Sequence, residues 1–180
     1  MMPHDLQQTI SLLSHTPATL NALLRNQPEI WTLRDEGPGT WSAFDVVGHL
    51  IHCEQADWIT RATTILQFGE DQAFEPLNRQ TRAGQGQSLD HLLDEFTHLR
   101  KRNLDELREL NLQPSDLNRR GRHPAFGPVT LSQLLAAWAV HDLTHLHQIA
   151  RTMAHQYRDA VGPWSAYLGV LQCNGHSAPP

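Results

Sequence analysis

Cysteine is nearly missing from this chain of 180 residues: two occur, Cys53 and Cys173, far apart. Such a pair gives no disulfide framework and no cysteine-rich metal site. Cys53 is read as a small buried hydrophobe. Long apolar runs are missing as well. None approaches the ~18 residues of a membrane-spanning helix, and the start, MMPHDLQQTI, lacks the charged-then-apolar order of a signal peptide. The expectation is a cytoplasmic protein with no membrane partner. Positive charge is in deficit, with 14 Lys and Arg against 19 Asp and Glu. That excludes the clustered cationic footprint of non-specific nucleic-acid binding. The densest basic runs, Arg100-Lys101-Arg102 and Arg119-Arg120-Gly121-Arg122, are read as solvated surface. Strand signals are nearly absent, because no period-two alternation is sustained anywhere.

What remains is a chain of helical stretches, read as one domain over 1–180 with a frayed tail at 173–180. The first stretch runs from about Asp5 to Arg25, and Pro17 inside it predicts a kink or a break. A loop, Asn26 to Thr40, follows. The second helix opens with Ser42-Ala43-Phe44-Asp45, a capping box with Asp in place of Glu, and continues to about Phe68. Gly69 to Gln87, rich in Gly, Gln and Pro, has the length of a crossover. The third helix begins near Ser88 and ends at Leu110; Asn111 to Val129 is a loop. Thr130-Leu131-Ser132-Gln133 caps a fourth helix reaching His155. A short final helix spans about Trp164 to Leu171. The fold class is therefore all-α: a four-helix bundle with a long crossover between helices 2 and 3, plus a short C-terminal helix.

Histidine is in excess, at 12 residues, which favours metal binding without locating a site. The fourth helix locates a candidate. Leu131, Leu134, Trp138, His141, His145, Gln148, Ile149 and Thr152 step by three and four and form one stripe. Its apolar members turn it inward, so His141 and His145 sit inside, one turn apart. Burying two imidazoles without partners costs several kcal/mol, and a shared ion removes that cost. Two hydrogen-bonded histidines in a polar core would show the same spacing, and a pair does not complete a zinc shell. On the second helix the apolar stripe is Phe44, Val47, Ile51, Trp58, Ala62 and Ile65. At about 100° per residue, His49 lies on the other side, with Val46, Cys53 and Ala56. That side is also fairly apolar, so periodicity permits His49 to reach the site and does not require it.

The segments Trp41-Ser42-Ala43-Phe44-Asp45-Val46-Val47-Gly48-His49-Leu50 and Trp138-Ala139-Val140-His141-Asp142-Leu143-Thr144-His145-Leu146-His147-Gln148-Ile149 resemble the DinB/YfiT superfamily. Gly121-Arg122-His123-Pro124 and Gly127-Pro128-Val129-Thr130-Leu131 extend the likeness, which covers roughly Leu6 to Ala154. The resemblance implies a four-helix bundle with a histidine triad, one ligand from the W…GHL helix and two from the HDxxH helix. In this chain those are His49, His141 and His145. It also implies a homodimer and an activity like that of relatives that are bacillithiol-dependent thiol-S-transferases or a mycothiol-dependent maleylpyruvate isomerase. Two positions depart from the family pattern. His147 stands where a small residue is usual, and His52 stands where an acidic residue often follows the first ligand by three.

His147 projects about 120° from the His141/His145 stripe and is assigned to a surface or dimer role. His52, about 60° from His49, is a candidate to support a ligand or replace one. Asp142 is read either as a hydrogen-bond partner of a ligand ring or as a surface group. Asp45 could also support His49, although its place in the helix's first turn explains it better. Glu54 falls on the far side from His49 and is not nominated as a base; Trp41 and Trp138 are assigned to the core. Three neutral imidazoles with open positions suit a divalent metal, zinc or nickel being expected, while iron and copper also accept imidazole. The metal would act as a Lewis acid and hold a thiol as thiolate. The reading is a thiol transferase or isomerase with a small-molecule electrophile and a low-molecular-weight thiol as partners. A non-catalytic metal site and a dimeric helical interaction module stand beside it.

Overall fold

A computed structural model describes residues 4–77 and 86–172. Asp5 starts α1 (Leu6–Leu24) by accepting the N–H of Gln8 at 2.9 Å, which satisfies one of the open donors of the first turn. The break expected at Pro17 does not occur, and the helix continues through it. Proline lacks the N–H that would bond the carbonyl of Leu13, four residues back. Arg100 Nη1 donates to that carbonyl instead, at 2.9 Å. The stretch read as a loop after α1 contains one short helix, α2 (Glu29–Thr32).

Ser42 and Asp45 form the predicted capping box of α3 (Ala43–Ala56), each accepting the other's backbone N–H. The second helix does not run unbroken to Phe68. It stops at Asp57 (φ −112°, ψ −77°) and resumes as α4 (Trp58–Phe68). At the break the carbonyl of Glu54 accepts from Asn103 Nδ2 at 2.7 Å. Ser88 caps α5 (Leu89–Glu109). Before the last long helix the expected loop holds a small hairpin, β1 (Arg120–His123) and β2 (Gly127–Thr130), with Arg120 opposite Thr130. Four-residue strands are too short to show a period. A Cβ on Gly121 would stand 2.6 Å from Ile65 Cγ1 and 3.0 Å from the Phe74 ring, so the missing side chain lets β1 lie on α4. Thr130 and Gln133 cap α6 (Leu131–His155). The expected final helix is instead two 3₁₀ turns, Gly162–Tyr167 and Gly169–Leu171, a form that Gly162, Pro163 and Gly169 favour over continuous α-helix. The predicted frayed tail, 173–180, and part of the predicted crossover, 78–85, lie outside the described residues.

With α3 and α4 as one bent arm, α1, α3–α4, α5 and α6 make a four-helix bundle in which α3 packs on α5 and α6, and α1 packs on both of these as well. Its interior has two apolar clusters. One gathers Leu20, Leu24, Val47, Leu50, Phe96 and Ile149; the other gathers Leu13, Ile65, Leu104, Leu107, Leu135 and Trp138. Between them every long helix carries buried polar residues: Thr16 on α1, His49 and Glu54 on α3, Arg100 and Asn103 on α5, Asp142 and His145 on α6. The candidate site belongs to this polar layer. No helix among the described residues is long and apolar enough to cross a membrane.

Candidate metal centre

α3 and α6 run antiparallel across the layer. Thr152 Oγ1 donates to the carbonyl of Trp41 at 3.4 Å near one end, and Trp138 Nε1 donates to Glu54 Oε1 at 3.0 Å near the other. Between these ties the structure brings together the rings of His49, His141 and His145. His141 Nε2 lies 3.0 Å from His145 Nε2 and 3.3 Å from His49 Nε2. His49 and His145 are 6% and 3% exposed, so water does not solvate their ring nitrogens freely. One ring proton cannot serve both short contacts to His141. A cation held by three imidazoles at about 2.0–2.1 Å would set its ligand nitrogens about 3.3 Å apart in a tetrahedral shell, close to what is seen.

Gln148 orients the site. Its amide oxygen, which can only accept, lies 2.8 Å from His145 Nδ1, so that nitrogen carries the proton and Nε2 keeps its lone pair toward His141. Burial holds His145 below the ordinary histidine value; the Gln148 hydrogen bond and the charge of Asp142 act in the opposite direction. Trp41 is half-buried and forms a wall of the site, with its ring 5.0 Å from His49 and stacked over His145 at 6.5 Å. It packs against the core as expected and also faces the cleft. Trp138 is fully buried as expected, and Trp58 meets His141 edge-on at 5.1 Å. A cleft of about 1710 Å³ opens on the three histidines and is lined also by Trp41, Trp58, Phe74 and Val140. Its carboxylates, Glu36 and Asp57, are ion-paired with Arg151 and Arg61 at 2.6 and 2.5 Å. His123, in the hairpin, also lines the cleft; its Nδ1 accepts the N–H groups of Ala125 and Phe126.

Several expected roles change. Asp142 is neither a partner of a ligand ring nor a surface group. It is 1% exposed and takes Arg100 on both carboxylate oxygens, with Thr16 Oγ1 donating to one of them at 2.6 Å. Arg100 is not solvated surface either: it is 1% exposed and also binds Glu54 Oε1 at 2.9 Å. Glu54, passed over in the sequence, is the other buried carboxylate of this network, and it further accepts from Asn103 and Trp138. Burial raises its pKa against the opposing charge of Arg100. Asp45 serves the helix cap. His52 is half-buried on α3 and His147 half-buried on α6, and neither ring joins the cluster. Cys53 is the small buried residue expected, packed in the core with its sulfur beside the His49 ring, 3.5 Å from Nε2 and 3.9 Å from Nδ1. Burial and the nearby carboxylates of Asp57 and Glu54 push this thiol's pKa up.

No curated protein matches this chain. Among solved structures, YfiT from Bacillus subtilis, described as a probable metal-dependent hydrolase with an unusual four-helix bundle topology, superposes with a TM-score of 0.70 at 20% identity, covering 87% of each chain. That likeness concerns the fold. The family model of the DinB superfamily matches residues 12–149, which include the hairpin and all three clustered histidines. The chain belongs to the DinB superfamily.

Proposed function

We propose that His49, His141 and His145 hold one divalent metal ion, zinc or nickel, and that the protein is a metal-dependent thiol-S-transferase or isomerase. The observation that carries the reading is the convergence of three imidazole Nε2 atoms from two helices within short contact of His141. The donor set fits such an ion: three neutral rings, one held by Gln148 in the tautomer that leaves its lone pair free. Bound there, the ion supplies Lewis acidity and stabilises a thiol in its nucleophilic thiolate form.

The chain's own residues do the rest. Trp41 and Trp58 shield the rings from bulk water, which strengthens electrostatic interactions at the site. The half-open cleft, with aromatic and aliphatic walls, is suited to an apolar electrophile next to the histidines. Arg100, by gripping Asp142 and Glu54, fixes α6 against α3 and so sets the spacing of the rings. A low-molecular-weight thiol of the bacillithiol or mycothiol type is the cosubstrate. The resemblance to characterised relatives supports that choice, as it supports homodimerisation, which sedimentation at several concentrations tests.

Metal-dependent hydrolysis is the second reading, favoured by the description of YfiT. Both are tested with metal-loaded protein, a panel of electrophiles and esters, and bacillithiol, mycothiol, glutathione or no thiol. Turnover that needs both metal and thiol, and is lost in His141→Ala with the fold intact, supports the transferase. Turnover without thiol selects hydrolysis. No turnover of fully loaded protein with any combination overturns both.

A further inference from the structure

Arg100 commits both of its Nη atoms, to Asp142, Glu54 and the carbonyl of Leu13, and Arg151 uses Nη2 on Glu36. Arg61, which lines the cleft, differs from both. Its ion pair is made through Nε, which lies 2.5 Å from Asp57 Oδ1. Among the described residues no acceptor bonds its Nη1 or Nη2, so both groups stand as donors with nothing to receive them.

The guanidinium is nonetheless held in place. The Arg61 side chain is 13% exposed, and its guanidinium carbon lies 5.3 Å from the centroid of the buried Phe74 ring. A cation set over an aromatic face, with a carboxylate one turn back on its own helix, has few other positions open to it. Arg61 also stands one turn beyond Trp58, whose ring meets His141 at 5.1 Å, so a small molecule in the cleft can reach both Arg61 and the histidines. The two carboxylates of the lining, Glu36 and Asp57, are each matched by a guanidinium. With those pairs balanced and the histidine rings neutral, a bound divalent ion makes the cleft net positive, which draws an anion.

We propose that Arg61 anchors a carboxylate of the ligand that reaches the metal, through the N–H groups of its Nη edge. A carboxylate matches that planar fork with two parallel hydrogen bonds. The proposal rests on the metal reading above and deepens it: the ligand is apolar where Phe74 and Val140 wall the cleft and acidic at the end that meets Arg61. The carboxylate belongs to the thiol cosubstrate or to the electrophile, and the two are separated by experiment.

The test compares acids with their amides on the full chain. N-acetylcysteine and its amide, at matched thiolate concentration, are titrated into cobalt(II)-loaded protein and read by the thiolate-to-cobalt band. Phenylacetate and phenylacetamide are titrated calorimetrically into protein with and without metal. Wild type is expected to prefer the acid at least about tenfold in one pair or the other. A preference in the thiol pair assigns the carboxylate to the cosubstrate, and one in the phenyl pair assigns it to the electrophile. The preference shrinks in Arg61→Lys, which keeps the charge and gives up the fork. It vanishes in Asp57→Asn combined with Arg61→Gln, which removes both charges so that neither is left buried alone. A wild type that binds neither acid more tightly than its amide, or a preference that survives in the double variant, overturns the role of Arg61. Protein that takes up no cobalt overturns the metal reading instead, and the phenylacetate titration of the metal-free chain still decides on Arg61.

Discussion

Arg100 closes on Asp142 with both arms of its guanidinium, Nη1 to Oδ2 at 2.5 Å and Nη2 to Oδ1 at 3.0 Å, inside the bundle. Asp142 is the residue after His141, and Glu54, which the same guanidinium binds, is the residue after Cys53. One side chain from α5 therefore ties together the two helix segments that carry the site. The carbonyl of Leu13, exposed by Pro17, takes a further donor from it. The hydrogen bonds to Asp142 and the charge of Glu54 keep the guanidinium ionised despite its burial.

Removing that cation strands two buried carboxylates. Arg100→Leu is expected to lower stability by about 3–5 kcal/mol, the range for breaking a buried ion pair from one side. Lys101→Ala next to it, at a well-exposed position paired with Asp105, should stay within about 0.5 kcal/mol. Urea unfolding of both variants measures the difference; equal midpoints would contradict the role given to Arg100.

Gln148→Leu removes the acceptor that fixes the His145 tautomer. Metal affinity should fall by about 10–100-fold with little change in the fold. Chelator competition reads the affinity and circular dichroism the fold. Unchanged affinity would mean that Gln148 does not orient the ring.

The metal-free protein should lose stability as the solution is acidified. Burial lowers His145 below its ordinary value of 6.5, so the unfolded chain takes up a proton that the folded ring refuses. His145 thus contributes fully above that value, and the contribution is lost as pH falls from it toward the folded one. Urea midpoints measured between about pH 5 and 8 should slope less in His145→Gln than in wild type. Identical slopes would exclude a buried, neutral His145.

Gly121→Ala pushes a methyl group against Ile65 and Phe74, an overpacking expected to cost about 1–3 kcal/mol. Gly169→Ala, where nothing lies within 4 Å of the added carbon, is the control and should stay within about 0.5 kcal/mol. Thermal melts of the two compare them directly.

The sequence made legible what is encoded within one or two helical turns. Ser42…Asp45 and Thr130…Gln133 announce helix starts because the caps are local. The stripe through Trp138, His141 and His145 announces an inward face. Features that depend on partners distant in the chain stayed hidden. Arg100 sits in a basic run, and nothing nearby in sequence reveals that Glu54 and Asp142 meet it from other helices. Pro17 signals a lost hydrogen bond but not the guanidinium that replaces it. Asp57 interrupts a helix whose apolar stripe continues across the break, so periodicity could not show the interruption.

Crystals of protein saturated with zinc, measured above and below the zinc edge, test the central claim most directly. A single anomalous peak bonded to Nε2 of His49, His141 and His145 is the predicted result. A saturated crystal whose zinc lies elsewhere, with the three rings still packed against one another, would contradict it.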